Sequence, residues 1–317
     1  MKLLITGGAG FIGSHLVEAL AARGDSVSAI DNFNDFYDPA IKRSNVNNFP
    51  GSVRLHEIDL CDPAAVAGTL AQEKPDAIVH LAARAGVRPS VQSPELYLQT
   101  NIFGTFNLLE AARKNGVSRF IFASSSSVYG ATRTLPFRED QPILQTLSPY
   151  ASTKLAGEQL CSNYSYLYGL QVVCLRFFTV YGPRQRPDLS IHRFTHLIAN
   201  GKPIEVYGDG SAARDFTYVD DIIQGLFGAI EFQDLPFDVF NLGESDTIDL
   251  LSMIGEIEKA LGRKATIEFR PPVPGDMPRT FADITKARKL LNYRPTTSIQ
   301  EGIPKFVNWY TEQQAHR

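Results

Sequence analysis

Apolar residues in the first half of the chain fall into short blocks of two kinds, and the kinds alternate. Lys2-Leu3-Leu4-Ile5 is a nearly unbroken apolar run of strand length, followed by Thr6-Gly7-Gly8-Ala9-Gly10-Phe11-Ile12-Gly13. Leu16, Val17 and Leu20 then recur at the spacing of one helix face. Ser26-Val27-Ser28-Ala29-Ile30 predicts a second strand that stops at Asp31. Residues 53–58, 77–81, 120–123 and 171–177 predict four more, with helical stretches between them. The alternation predicts an α/β fold built on a doubly wound parallel sheet, helices on both faces and ligands at the carboxyl ends of the strands. After Tyr181-Gly182-Pro183-Arg184 the chain becomes less regular and richer in Pro and Arg. A division near residue 178 follows: residues 1–178 as the sheet domain and 179–317 as a smaller C-terminal α/β domain. Residues 216–232 are expected to return to the first domain as a helix, within a segment 216–240 that packs back on it.

The first turn carries the clearest chemistry. Gly7, Gly10 and Gly13 have the spacing G-x-x-G-x-x-G between a strand and a helix, where backbone N–H groups and the positive helix end meet a pyrophosphate. Asp31, about 20 residues further on, can accept hydrogen bonds from ribose hydroxyls. Its charge opposes a 2'-phosphate, which favours NAD over NADP. Asp59-Leu60, Leu81-Ala82-Ala83 and Ser124 to Ser127 follow later strands, where a dinucleotide would lie, although loop roles would also explain them. Asn101 is expected to open a helix, and an N-cap or packing role would account for it.

Tyr150 and Lys154 stand one helical turn apart. A phenol with a reference pKa of about 10 is no base at neutral pH unless a cation stabilises the phenolate, and a lysine at i+4 can do so. The same spacing also occurs on ordinary amphipathic surface turns.

Composition narrows the classes. The chain has 317 residues, 44% hydrophobic content and a formal charge of −3, which fits a globular protein and suggests no nucleic acid. Cys61, Cys161 and Cys174 lack metal-ligand spacing and are expected to be reduced thiols. No apolar run reaches the ~18 residues that a membrane helix needs, and the chain opens on a core strand, so the cytoplasm is the expected location. His192 and His196 are spaced i, i+4 without the glutamate of H-E-x-x-H, and no metal is expected.

In order along the chain, the glycine turn, Leu81-Ala82-Ala83, Asn101, the serine run before Val128-Tyr129-Gly130, Tyr150/Lys154 and Arg214-Asp215-Phe216-Thr217-Tyr218-Val219-Asp220-Asp221 resemble the extended short-chain dehydrogenases/reductases that modify nucleotide sugars. The resemblance covers essentially the whole length. It implies a Rossmann-type first domain, tightly bound NAD regenerated in each cycle, a UDP-sugar substrate and a homodimer through helices around 101–112 and 150–168. It implies Tyr150 as general base, Lys154 as the group that lowers its pKa and binds the nicotinamide ribose, and Ser125 as a hydrogen-bond donor to the reacting oxygen. It extends the cofactor set to Phe11, Ile12, Asn32, Lys42, Asn101, Ser124 and Phe177, and points to Arg186, Arg193, Arg214 and Asp276 for the diphosphate and uridine, with Arg88 a further candidate.

The family oxidises a sugar hydroxyl and then diverges. Related dehydratases carry Asp-Glu where Ser126-Ser127 stand, and related decarboxylases carry Glu at the position of Ser127. Two hydroxyls are poor general acid–base groups, so epimerisation is favoured over either. Residues 36–43, 83–90 and 177–188 resemble UDP-glucuronate 4-epimerases more than UDP-galactose 4-epimerases, which have Asn at the position of Thr179. Ser126, Ser127 and Thr179 are therefore candidates to hold a C5 carboxylate. A UDP-galactose or UDP-N-acetylhexosamine 4-epimerase, a decarboxylase and a non-catalytic NAD-binding sensor are the alternatives.

Overall fold

The computed structural model describes residues 1–272 and 277–315. Among these residues, seven parallel strands make the central sheet: β1 (Lys2–Thr6), β2 (Ser26–Asp31), β3 (Arg54–Glu57), β4 (Ala77–His80), β5 (Arg119–Ser125), β6 (Gln171–Phe177) and β7 (Phe237–Leu242). Their order in space is β7-β6-β5-β4-β1-β2-β3. From β1 the chain runs outward through β2 and β3, then returns to place β4 on the other side of β1. The order thus reverses beside β1, and a crevice opens there at the carboxyl ends of the strands.

Both faces of the sheet are buried, and the side chains sort by the two-residue strand period. Leu3, Ile5, Val27, Ala29, Val79 and Ile121 enter one core. Their neighbours Leu4, Ile30, Ile78, Phe120 and Phe122 enter the other. The first core is closed by α1 (Phe11–Ala22), through Leu16, Val17 and Leu20, together with Ile222 and Leu226 further along the chain. The second is closed by α2 (Gly104–Lys114), through Leu108, Leu109 and Ala112, and by α3 (Pro149–Tyr168), through Cys161 and Tyr164.

Three local features differ from the pattern-based expectation. Asn101 does not open a helix: it lies in a π-helical turn, Leu98–Phe103, between the short helix Pro94–Tyr97 and α2. Residues 216–232 form a strand, Phe216–Tyr218, before α4 (Val219–Glu231) begins. That strand pairs in parallel with Thr179–Tyr181 and ties the end of β6 to the start of α4. Strand β7 carries no clean apolar signature, because Asp238 and Asn241 interrupt Phe237, Val239, Phe240 and Leu242. Tertiary partners hold both: Lys286 binds Asp238 through Oδ1, while Asn241 accepts from Tyr129 Oη at 2.7 Å and donates to Phe137 O at 2.9 Å.

Candidate active site

A cleft of about 650 Å³ runs over the carboxyl ends of β1, β2, β4, β5 and β6. At its β1 end the glycine turn is dictated by close approach. Gly7 has φ +69°, and a Cβ on Gly13 would stand 2.0 Å from Gly7 O. Only bare glycines let the turn fold back on the helix start. Helix α1 has Gly10 at its N-cap and no side chain capping it, so its first N–H groups face the cleft without an internal partner. Asp31 is buried and accepts from Phe33 N at 2.9 Å and Ala9 N at 3.2 Å, with Lys42 Nζ 3.5 Å away. Each carboxylate oxygen retains a lone pair for a hydroxyl ligand. The capless helix end, the glycine cradle and Asp31 at the tip of β2 together fit a dinucleotide.

At the β5 end the strand stops at Ser125 and tightens into a 3₁₀ turn, Ser126–Tyr129. Ser125 Oγ caps that turn, accepting from Ser127 N at 3.2 Å and from Ser127 Oγ at 2.8 Å. Helix α3 starts opposite. Ser148 is its N-cap, accepting from Ala151 N at 3.1 Å, and Pro149 takes the first position with its preset φ. Tyr150, Lys154 and Glu158 therefore recur on one face of α3, turned toward the sheet. Lys154 Nζ donates to Ala123 O at 2.7 Å. One turn on, Glu158 accepts from Ser124 Oγ at 2.5 Å and forms a buried two-pronged ion pair with Arg176 of β6. The strand end and the helix are clamped at consecutive residues.

Burial pushes the Tyr150 phenol up; the hydrogen bond from Ser125 and the nearby Arg186 charge oppose that rise. The cations around the phenol thus include Arg186, a contributor that the Tyr-x-x-x-Lys spacing does not reveal. Burial takes the Lys154 ammonium down to about 8, against the opposing fields of Cys161 and Glu158. Arg186 is itself positioned by two groups: its guanidinium lies over the Phe36 ring at 5.3 Å and makes paired hydrogen bonds of 2.9 and 2.8 Å to Asp188. Arg186-x-Asp188 was a legible signal; the contact with Phe36, 150 positions away, was not.

The structure brings almost all of the sequence-selected residues to this one cleft. Gly7, Gly10, Phe11, Ile12, Gly13, Asp31, Asn32, Lys42, Asp59 and Leu60 line the β1–β3 end. Leu81, Ala82, Ala83, Ser124, Tyr150, Lys154 and Phe177 line its middle, and Arg88, Ser125, Ser126, Ser127, Thr179, Arg186 and Arg214 its far end. Ser124 contributes its backbone side, since its hydroxyl is committed to Glu158. Asn101 sits behind the wall: it accepts from Arg84 N at 2.8 Å and donates to Arg84 O and to Thr153 Oγ1, each at 3.0 Å. Arg193 is exposed on the helix Ser190–Ala199, outside the wall, and Asp276 lies outside the described residues. Arg88 is exposed at the mouth, 5.1 Å from the Tyr207 ring. His192 and His196 belong to an aromatic cluster with Phe306 and Tyr310, and His196 Nδ1 is 2.9 Å from Tyr310 Oη. Among the described residues no group of three or more His, Cys, Asp or Glu could hold a metal ion.

The family model described as GDP-mannose 4,6 dehydratase matches residues 4–306. The chain belongs to the extended short-chain dehydrogenase/reductase family. Within this family it is 43% identical over 312 residues to a UDP-glucuronate 4-epimerase of Thermodesulfobacterium geofontis (strain OPF15), covering 98% of this chain and 96% of that protein. It is 40% identical over 328 residues to UDP-glucuronate 4-epimerase 1 of Arabidopsis thaliana, covering 98% of this chain and 76% of the plant protein. Among solved structures, UDP-glucuronic acid 4-epimerase from Bacillus cereus in complex with UDP-glucuronic acid and NAD superposes with a TM-score of 0.93 at 38% identity, over 99% of this chain and 100% of that one. The UDP-glucose 4-epimerase from Thermotoga maritima with UDP-glucose gives 0.91 at 32% identity, again over 99% and 100%. Solved structures similar to this chain thus hold UDP-sugars with and without a carboxylate.

Proposed function

We propose that this protein is an NAD-dependent UDP-sugar 4-epimerase whose substrate is UDP-glucuronate, interconverted with UDP-galacturonate through a 4-keto intermediate. The observation that carries the reading is the joining, in one cleft, of Tyr150, Lys154 and a dinucleotide cradle to a sugar end lined by Ser125, Ser126, Ser127 and Thr179, with no carboxylate among these four positions. Bound NAD supplies the hydride acceptor and donor at C4. Tyr150 removes the proton of the C4 hydroxyl and later returns it, with Ser125 donating to the same oxygen and Lys154 and Arg186 stabilising the phenolate. The glycine turn holds the pyrophosphate, Asp31 and Lys42 hold the adenine-ribose end, and Arg186 and Arg214 with Asp276 hold the substrate diphosphate and uridine, while Arg193, outside the wall, is left out of that set.

Oxidation at C4 turns a glucuronate into a β-keto acid, which loses carbon dioxide when the carboxylate bond aligns with the carbonyl π system. Ser126, Ser127 and Thr179 hold the carboxylate near the plane of the ring, away from that alignment. Hydroxyls do so without the rigid ion pair that would stop the keto sugar from turning over.

A homodimer is part of the proposal. Leu98, Phe103 and Phe106 on the helical run into α2, and Tyr166 and Leu167 on α3, are exposed apolar residues that a second copy would cover. The free thiols Cys61, Cys161 and Cys174 support a reducing compartment, the cytoplasm.

The test is to supply purified protein with UDP-glucuronate, UDP-glucose and UDP-N-acetylglucosamine in turn and to follow C4 epimer and carbon dioxide. Epimer from the uronate alone supports the proposal. Turnover of only the neutral sugars overturns the specificity, predominant carbon dioxide overturns epimerisation, and no turnover with NAD still bound makes the protein a sensor.

A further inference from the structure

Behind the cleft, a chain of buried hydrogen bonds joins the glycine turn to the helix that carries Tyr150. Thr6 ends β1 immediately before Gly7, and His80 ends β4 directly beside it in the sheet register. Thr6 Oγ1 lies 2.7 Å from His80 Nδ1, and His80 Nε2 lies 2.9 Å from Thr105 Oγ1. All three residues are at most 1% exposed.

The proton positions follow from counting donors. Asn101 O can only accept, so the one proton of Thr105 Oγ1 goes to it, at 2.7 Å. Thr105 Oγ1 must then accept from His80 Nε2–H. An imidazole protonated at Nε2 and neutral presents a lone pair at Nδ1, so Thr6 Oγ1 donates to it, while accepting from Ala82 N at 3.2 Å. Burial, helped by the Lys154 charge, takes the His80 pKa down to about 3, which agrees with a neutral ring. Beyond Asn101 the sense is unchanged: Asn101 Nδ2 donates to Thr153 Oγ1, and Thr153 Oγ1 donates to Tyr150 O at 2.8 Å. Donors point one way throughout, from Ala82 to the carbonyl of Tyr150. The π-helical turn at Leu98–Phe103 puts both the carbonyl and the side chain of Asn101 into this line.

Two sets of groups must be held at a fixed separation for hydride and proton to leave one carbon together. The glycine turn sets where a dinucleotide lies, and α3 sets where the phenol lies. We infer that His80, as a neutral ring with a single tautomer between Thr6 and Thr105, is a positioning residue that fixes the glycine turn relative to Tyr150. The ring touches neither the cleft nor any reacting atom. It acts through Thr105 and Asn101, and its sensitivity lies in near-attack geometry, where a small displacement costs rate.

The inference rests on the epimerase reading for its kinetic readout, and a second readout is independent of that reading. Thr105→Val keeps the shape and removes the hydroxyl, Thr105→Ser restores it, and Thr6→Val cuts the other side of the ring. With UDP-glucuronate, Thr105→Val is expected to lower kcat about tenfold with KM within about twofold, and Thr105→Ser to return kcat to within about twofold of wild type. The dissociation constant of NAD, titrated without sugar, should rise about fivefold in Thr105→Val and recover in Thr105→Ser. The double variant Thr6→Val/Thr105→Val should lose no more than its worse single parent, because either cut frees the ring. A Thr105→Val protein with a lowered melting temperature but wild-type kcat and NAD affinity overturns the inference, as do single losses that multiply in the double variant. Should Thr105→Val not fold, Thr6→Val with Thr6→Ser as its rescue carries the same comparison. If wild-type protein turns over none of the three UDP-sugars, the epimerase reading falls and the NAD titration alone decides the relay.

Discussion

At the nucleotide end of the cleft, Gly7, Gly10 and Gly13 come from one short stretch of chain, and their job is to be absent: a Cβ at Gly13 would lie 2.0 Å from a carbonyl. At the sugar end, Ser125 to Ser127, Thr179, Arg186 and Arg214 come from separate stretches, and their job is to present hydroxyls and charge at chosen points. The first end is held by backbone geometry and belongs to the family as a whole. The second is held by side chains and, in the proposed function, separates one family member from another. Chemistry common to the family can be written locally in sequence, whereas specificity has to be assembled across the fold. Tyr150 and Lys154 stand where the two ends meet.

Tyr150→Phe is the sharpest division between binding and chemistry. Turnover should fall by roughly 10³-fold or more, the scale expected for loss of a general base, while NAD and UDP affinities measured by calorimetry stay within about threefold. Near-normal turnover would assign the base to another group. Gly13→Ala attacks the nucleotide end alone. The turn must open to admit the methyl, so the protein should be purified without NAD and unfold at lower denaturant, with a loss of about 3 kcal/mol. Retained NAD and an unchanged midpoint would mean that the turn is more compliant than its spacing implies.

Lys154→Met tests the junction through pH. The folded-state pKa of Lys154 is about 8, below its ordinary 10.5, so between these values the unfolded chain binds more protons than the folded one. The stability of wild type relative to Lys154→Met should accordingly rise as pH climbs from about 8 towards 10.5, by up to roughly 3 kcal/mol in the apoprotein. Denaturant melts of the two proteins at pH 7.5, about half a unit below that window, and at pH 10, about half a unit inside its upper edge, read the difference. A flat difference would mean that the ammonium is solvated despite its place in the core. The smallest expected effect lies at the sugar end. Thr179→Ala should leave total oxidation of UDP-glucuronate within about threefold and raise the share that ends as carbon dioxide, since one hydroxyl proposed to hold the carboxylate is gone. An unchanged ratio of carbon dioxide to epimer would remove Thr179 from the carboxylate's partners.

Much of the sheet was legible because its strands are buried on both faces: β6 matches its apolar run residue for residue, and β4 and β5 differ by one or two residues at their ends. Strand β7 was not legible. Its Asp238 and Asn241 look like loop residues until Lys286, Tyr129 and Phe137 are placed around them. Asn101 had the right address and the wrong surroundings, since a π-turn leaves no periodicity mark and its partners Arg84 and Thr153 lie in other parts of the sequence.

The sequence by itself determined the glycine turn, the acidic end of β2, the Tyr150–Lys154 face and the missing carboxylates at Ser126 and Ser127. Each depends on which residue types occur at short range, where backbone sterics and helix period are sufficient. Only the tertiary structure decided that Arg186 stands by the phenol, that Glu158 and Arg176 clamp the helix to the sheet, and that the buried His80 ring bridges Thr6 and Thr105. Those facts are about fields and hydrogen-bond direction between distant segments, and they have no value until burial has fixed both the dielectric and the partners.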